Sequence, residues 1–129
     1  MNLRSSSNLE LTKCETEVMD VVWHRQPVTV SNVVETIERK LAYTTVLTTM
    51  KILEEKGILC RGEKIGRAHT YTARVTREEV RVGMLRSLAN QLFGGSALSL
   101  VLSLVKSEAV SANDIEEVMK AAERLESKS

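Results

Sequence analysis

Cysteine is scarce in this sequence, which has only Cys14 and Cys60 among its 129 residues. Two cysteines are too few for a disulfide framework, and these two lie too far apart in the chain for a metal-binding knuckle. A reduced, cytoplasmic setting is therefore expected. We interpret both thiols as small buried hydrophobic groups rather than as redox or metal sensors.

Long apolar runs and a large net charge are also missing. No segment approaches the roughly 20 consecutive apolar residues that a membrane span needs, and residues 1–10 contain no continuous apolar stretch typical of a secretion signal. No membrane insertion is expected. The formal net charge is only +1, so any affinity for DNA must come from the local placement of charged residues. The length suits one modest core or two small lobes.

Catalytic motifs are absent as well. The sequence has no Gly-x-Ser-x-Gly elbow, no phosphate-binding loop and no His-Glu-x-x-His zinc motif. Its two histidines, His24 and His69, stand alone. We therefore expect neither an enzyme nor a bound cofactor or metal ion.

What the sequence does contain is an amphipathic segment, AYTTVLTTMKILEEKG, at residues 42–57. Wound as a helix, it has an apolar face of Val46, Leu47, Met50 and Leu53 and a polar face of Thr44, Thr48 and Lys51, with Thr45 at its flank. No carboxylate occurs between Glu38 and Glu54, so nothing near the helix start repels a phosphate. The pattern is typical of a DNA recognition helix. By itself, it also fits an ordinary amphipathic helix.

The preceding residues predict two further helices. Residues 1–8 are expected to form a frayed arm. Thr12 and Glu15 form a capping box that opens a helix over residues 13–24, and Pro27 follows its end. After a brief strand at Val28, Thr29 caps a second helix. The apolar positions of that helix are Val30, Val33, Val34, Ile37 and Leu41. The helix 43–56 follows with almost no linker, which predicts a helix-turn-helix.

A β-hairpin is predicted after this pair of helices. Residues 58–61 and 69–73 are β-prone, and residues 62–68 between them contain two glycines. A hairpin that directly follows a helix-turn-helix is typical of the wing of a winged-helix domain. The basic residues of this region are Arg61, Lys64, Arg67, Arg74 and Arg77, against the single acidic Glu63. A hairpin with merely solvated charges is the alternative.

The last third of the chain is predicted to be helical. Thr76 and Glu79 form a capping box for a helix to about Phe93, Gly94-Gly95 interrupts it, and Ser111 caps a last helix over residues 112–126. Residues 97–105, ALSLVLSLV, are apolar nearly all round and should be buried inside protein. Three short helices make a poor independent core, so this region is predicted to form a dimer interface.

The predicted fold is therefore mainly α with a small hairpin wing. Residues 9–75 would form a winged helix-turn-helix domain and residues 76–127 a helical dimerisation region. Thr44, Thr45 and Thr48 are candidates for contacts to base edges or to the nearby DNA backbone. Phosphate contacts are assigned to Lys51, Lys64 and Arg67. The predicted dimerisation residues are Leu85, Leu88, Leu92, Leu98, Val101, Leu102, Val105, Ile115, Val118 and Met119. A protein-interaction module is the rival reading, and salt-dependent binding to duplex DNA separates the two.

The sequence resembles the BlaI/MecI/CopY family of bacterial penicillinase repressors from about Leu11 to Glu79, and more loosely beyond. Three groups of residues carry the resemblance. They are Leu11-Thr12…Glu15…Glu17-Val18-Met19…Trp23, then Ala42-Tyr43-Thr44-Thr45-Val46…Thr48…Leu53…Lys56-Gly57, and lastly Gly66-Arg67-Ala68-His69…Tyr71…Val75-Thr76-Arg77-Glu78-Glu79.

The resemblance implies a homodimeric repressor that binds a palindromic operator in double-stranded DNA. It also implies release through a membrane-bound sensor metalloprotease that leads to cleavage in the C-terminal part, where Ser103-Leu104 aligns with the bond cut in staphylococcal members. Release by a small ligand or a redox signal is the alternative. No cysteine follows Cys60, so copper sensing through a C-terminal Cys-x-Cys pair is not supported. Ile52 stands where relatives often carry arginine.

Overall fold

The computed structural model describes residues 9–128, so the arm expected at residues 1–8 lies outside the described residues. Within that range the chain forms helices α1 (Lys13–Arg25), α2 (Val30–Thr36) and α3 (Tyr43–Glu55), strands β1 (Leu59–Ile65) and β2 (Ala68–Ala73), and helices α4 (Arg77–Leu92), α5 (Ala97–Lys106) and α6 (Ala112–Lys128). The two strands form one antiparallel sheet. The predicted fold class, mainly helical with a hairpin wing, is confirmed.

Helix α1 begins at the predicted capping box. The Thr12 hydroxyl accepts from the Glu15 backbone N–H at 3.1 Å, and the Glu15 carboxylate accepts from the Thr12 N–H at 2.8 Å. Both bonds satisfy backbone donors that have no partner inside the helix. The helix then buries one face, with Val18, Met19 and Val22 completely inaccessible to solvent.

Helix α2 is shorter than predicted. It ends at Thr36 because Ile37 adopts an extended backbone with ψ of 135°, although its N–H still bonds to the carbonyl of Val33 at 2.9 Å. Ile37 remains buried, so the apolar spacing correctly marked it as a core residue. The expectation that the helix reaches Leu41 and meets α3 almost directly is wrong, since residues 37–42 connect the two helices.

The hairpin is longer than predicted and has a tighter turn. Ile65 pairs with Ala68 across a two-residue turn of Gly66 and Arg67, and Gly66 adopts a φ of +64° that favours glycine. The predicted loop at residues 62–68 is therefore mostly strand. The strand register shifts between Arg61 and Lys64, which is a β-bulge. The brief pairing predicted for Val28 is present as a bridge to Tyr71.

The first of two compact units extends to Ser87. Its core gathers apolar side chains from α1, α2, α3, the hairpin and the first turns of α4. The most deeply buried are Val18, Met19, Val22, Val28, Val33, Val46, Met50, Leu53, Ile58 and Leu59. Leu9 packs so closely on α4 that a Cβ added at Gly83 would lie 2.9 Å from its Cδ1. Val46, Met50 and Leu53 anchor one face of α3 in this core.

The second unit begins at Leu88 and contains the end of α4 with α5 and α6. No residue of α5 is buried within the chain, so the apolar segment 97–105 is not covered by its own chain as a core helix would be. Large apolar side chains in this unit are exposed, among them Leu92, Leu98, Leu102, Val118 and Met119. The predicted domain boundary at residue 75 and the predicted dimer contacts stay predictions.

The two cysteines differ in their surroundings. Cys14 is half-buried, and its Sγ lies 3.4 Å from the Thr49 hydroxyl. Cys60 is exposed, so its interpretation as a buried hydrophobic group is wrong. Its neighbour Leu59 points into the core and alternate side chains of a strand point to opposite faces, which puts Cys60 on the outer side of the hairpin.

Candidate nucleic-acid interface

Helix α3 presents a buried face and an exposed polar face, as its sequence predicted. Val46, Met50 and Leu53 are fully buried. The exposed side chains include Thr44, Thr45, Thr48 and Lys51, all of which the sequence analysis assigned to DNA contacts. Thr49 is buried instead, and its hydroxyl donates to the carbonyl of Thr45 at 2.8 Å. The threonines of this helix therefore divide into one structural residue and three that a ligand can reach.

The N-terminus of α3 lacks a side-chain cap. Ala42 occupies the N-cap position and makes no side-chain hydrogen bond. In the described range, each of the other five helices is capped by a side-chain hydroxyl that accepts a hydrogen bond from a backbone N–H of the first turn. The capping residues are Thr12, Thr29, Thr76, Ser96 and Ser111. The first N–H groups of α3 consequently remain available to an external acceptor, and phosphate oxygens are well suited to that position.

Three basic side chains on α3 and the wing are candidates for phosphate contacts. Among the described residues, no ion pair involves Lys51, Lys64 or Arg67. All three are exposed. Cations that are not neutralised within the protein can bind phosphates and release the counterions that surround DNA.

Other basic residues are used inside the protein. Arg61 forms an ion pair with Glu54 at 3.1 Å, and Arg77 pairs with Asp20 at 2.8 Å while its guanidinium lies 5.0 Å from the centre of the Trp23 ring. Both arginines belong to the basic residues of the wing region, and their acidic partners are not evident from the sequence. The unpaired positive charge of that region is therefore smaller than a residue count indicates, and it lies closer to the tip of the wing.

The ion pair between Glu54 and Arg61 joins α3 to the first strand of the wing. The Arg61 Nε donates to Glu54 Oε2 at 3.1 Å, and its Nη2 donates to Oε1 at 3.3 Å. Hydrogen bonding to Glu54 and its negative charge raise the pKa of Arg61 above its already high ordinary value.

The β-bulge in the wing is held by a side chain from the opposite strand. The Thr70 hydroxyl donates to the carbonyl of Glu63 at 2.7 Å, which satisfies an acceptor that regular strand pairing would otherwise use. A bulge increases the local twist of a hairpin and changes the direction of the residues beyond it. Here those residues are Lys64, Ile65 and the turn with Arg67.

A second ion pair attaches the C-terminal end of α3 to the start of α1. The Lys56 ammonium lies 2.9 and 2.8 Å from the two carboxylate oxygens of Glu15, which is only 4% exposed. Burial by itself would raise the pKa of Glu15, but hydrogen bonds from Lys56 and from the Thr12 backbone outweigh it and the pKa lies below its ordinary value. Glu15 is therefore an ion-pair partner as well as the capping residue that the sequence predicted.

Alternative kinds of site find little support in the described residues. Over residues 9–128, no group of three or more histidine, cysteine or acidic side chains is placed to hold a metal ion. In the same range no single helix is long and apolar enough to cross a membrane. Helices α4 and α5 taken together reach that length and composition, with a break between them.

Comparison with known proteins identifies the family. Residues 11–124 match the family model described as penicillinase repressor. The penicillinase repressor of Staphylococcus aureus is 25% identical over 116 residues, covering 88% of this chain and 91% of that protein. The transcriptional regulator BlaI of Mycobacterium tuberculosis is 34% identical over 116 residues, covering 87% of this chain and 82% of that protein.

A solved structure shows the same kind of fold. The multiple antibiotic-resistance repressor MarR from Listeria monocytogenes superposes with a TM-score of 0.50 at 16% identity, covering 95% of this chain and 76% of that one. The exposed polar face of α3 and the hairpin that follows it in the chain are what a winged-helix DNA-binding protein requires. The family match agrees with this arrangement. The protein belongs to the penicillinase repressor family and is a DNA-binding transcriptional repressor, not an enzyme.

Proposed function

We propose that the chain acts as a homodimer on an operator with two-fold symmetry. The observation that carries this proposal is the surface of α3 and the wing. There an uncapped helix start, exposed threonines and three cations without an ion-pair partner among residues 9–128 lie on successive elements. Such a surface fits the alternation of base edges and phosphates in duplex DNA. Its place of action would be the cytoplasm, where bacterial DNA is found.

We assign base-edge contacts to the exposed threonines of α3. A hydroxyl group can donate to or accept from a base edge, and the threonine methyl group can contact the methyl group of thymine. Thr48 lies near the middle of the exposed face, while Thr44 and Thr45 lie one turn earlier. Lys51, Lys64 and Arg67 contact phosphates, which positions the protein without reading the sequence.

The dimer would be built by the apolar surface of α4, α5 and α6. Leu85, Leu92, Leu98 and Leu102 are 54%, 68%, 67% and 46% exposed in the single chain. So many widely exposed large apolar side chains are unusual on a monomeric protein and typical of an interface. A two-fold dimer places two recognition helices on successive turns of the operator, which a single domain cannot do.

Replacing Thr48 with alanine should weaken operator binding by about 1–2 kcal/mol and leave binding to unrelated duplex DNA nearly unchanged. The reason is that the lost hydroxyl serves sequence reading and carries no charge. Fluorescence anisotropy on the two duplexes at one salt concentration measures both effects. Thr16→Ala, the same change on α1, is the matched control and should change neither. An equal loss on both duplexes would contradict the base contact.

Replacing Arg67 with alanine should weaken binding to all duplex sequences alike. Loss of one phosphate contact should also flatten the slope of log K against log salt by roughly one unit per DNA contact removed. The control is Arg81→Ala, which removes an exposed arginine from α4 outside this surface. If the two variants had the same slope as the original chain, the wing would not contact phosphate. If the chain bound a protein partner instead of DNA, no salt-dependent binding to duplex DNA would be measured.

We propose further that repression ends when a membrane-bound sensor metalloprotease leads to cleavage in α5, at or near Ser103-Leu104. The family resemblance implies this route, and the family match makes that resemblance firm. Ser103 and Leu104 are exposed in the single chain but lie within a helix, so a protease needs local unwinding first. Mass measurement of the protein from induced cells tests the route. Derepression with every copy intact would contradict it.

A further inference from the structure

Four large apolar side chains in the described part of the first compact unit are widely exposed. They are Tyr43, Ile52, Ile65 and Leu85, at 50%, 41%, 68% and 54%. The first two lie on α3 and the third ends β1. Leu85 lies on α4 and belongs to the proposed dimer surface. Ile65 is the most exposed of the four and lies on neither α3 nor that surface, so a ligand at the wing would account for its exposure.

Ile65 lies at the tip of the wing between cations. It pairs with Ala68 across the turn, follows Lys64 and precedes Gly66-Arg67. Lys64 and Arg67 are exposed and have no ion-pair partner among the described residues. The Thr70 hydroxyl fixes the bulge immediately before this tip, so the three side chains are presented by an ordered hairpin.

This arrangement selects a narrow class of binding site. Burial of an isoleucine side chain is favourable only where the partner offers an apolar recess, and the flanking cations require negative charge on both borders of that recess. The minor groove of duplex DNA has this form, with phosphates along its edges and sugars as its walls. Its floor is free of donor groups at A·T pairs, whereas the N2 amino group of guanine projects into it at G·C pairs.

We propose that Ile65 is a specificity-determining residue that enters the minor groove beside the recognition site and favours A·T over G·C pairs there. The inference rests on the proposed function, since it requires that α3 and the wing bind DNA. It adds a second reading site to the threonines of α3. The apolar side chain reads the groove floor, while Lys64 and Arg67 hold the phosphates on its borders.

The experiment uses operator duplexes selected from random DNA by the full-length chain. Successive A·T pairs flanking each recognition site are replaced with G·C or with inosine·C, and affinities are measured by anisotropy at fixed salt. Inosine·C presents the major-groove pattern of G·C but lacks the minor-groove amino group. At the position under the wing, G·C should weaken binding by about tenfold, and inosine·C should restore it.

The same duplexes are then measured with variants of the wing. Ile65→Ala should bind all three within about twofold of each other, Ile65→Leu should retain the discrimination, and Lys64→Ala should weaken all three by the same factor. Ile65 is mostly exposed, so these variants should keep the fold. A G·C penalty that persists in Ile65→Ala, or the absence of any position that distinguishes G·C from inosine·C, would overturn the inference while leaving specific binding intact. Failure to select any operator would overturn the proposed function itself.

Discussion

Replacing Leu102 with aspartate should convert the protein to a monomer and weaken operator binding by roughly 10²–10⁴-fold, the gain that linkage of two binding sites provides. Leu102 is 46% exposed within its own chain, so a charge there meets water in the monomer and does not disturb the fold. In the proposed dimer the same charge would be buried without a partner, which is strongly unfavourable. Sedimentation velocity at micromolar concentration and operator anisotropy measure the two effects.

Ser103→Asp is the matched control for that experiment. It adds the same charge one position further along α5, on the side that carries Ser99 and Ser103 rather than Leu98 and Leu102. This variant should remain dimeric and bind the operator almost normally. A Leu102→Asp protein that stays dimeric would place the interface elsewhere, and a monomer with unchanged operator affinity would show that the two half-sites are not bound together.

Replacing Glu15 with glutamine should lower the free energy of unfolding by about 2–3 kcal/mol at neutral pH. The neutral amide cannot balance the Lys56 ammonium, whose nitrogen lies within 2.9 Å of both carboxylate oxygens. Lys56 is about one-third exposed and can turn toward water, so the cost should stay below that of a fully buried unpaired charge. Urea unfolding followed by circular dichroism measures the difference.

The effect of Glu15 should depend on pH with a definite sign. Its folded-state pKa is lowered, so its stabilisation is fully present above the ordinary glutamate pKa of about 4.3 and is lost as pH falls through the lower folded value. The original chain and Glu15→Gln should therefore converge in stability in acid. Glu17→Gln, which breaks the exposed pair with Arg39, should change the free energy of unfolding much less at neutral pH, because water and salt screen an exposed pair. Equal losses for the two variants would contradict a special role for Glu15.

Local patterns in the sequence predicted most of the fold. The buried positions of α3 and the start of α1 follow from helical periodicity and capping chemistry, which act over a few neighbouring residues. Thr12 with Glu15 and the apolar series from Val46 to Leu53 are examples. The C-terminal end of α2 was placed too late because the apolar spacing continues to Ile37 and Leu41. Tertiary packing buries Ile37 in an extended conformation instead.

The partners of charged side chains could not be predicted in the same way. Lys56 meets Glu15, and Arg77 meets Asp20, only because the fold brings distant segments together. Charge counting therefore assigned the wing more free positive charge than it has. The exposure of Ile65 depends likewise on the length of the hairpin and on its bulge, neither of which the β-prone segments indicated. The threonines of α3 were identified because amphipathicity separates exposed from buried positions directly.

The most direct measurement of the central claim is a hydroxyl-radical footprint of the full-length chain on an operator selected from random duplex DNA. A dimer that reads DNA with α3 and the wing should protect two symmetry-related half-sites on one face of the duplex, with centres about 10 base pairs or a multiple of that apart. Protection of a single half-site, or of two sites without two-fold symmetry, would contradict the account.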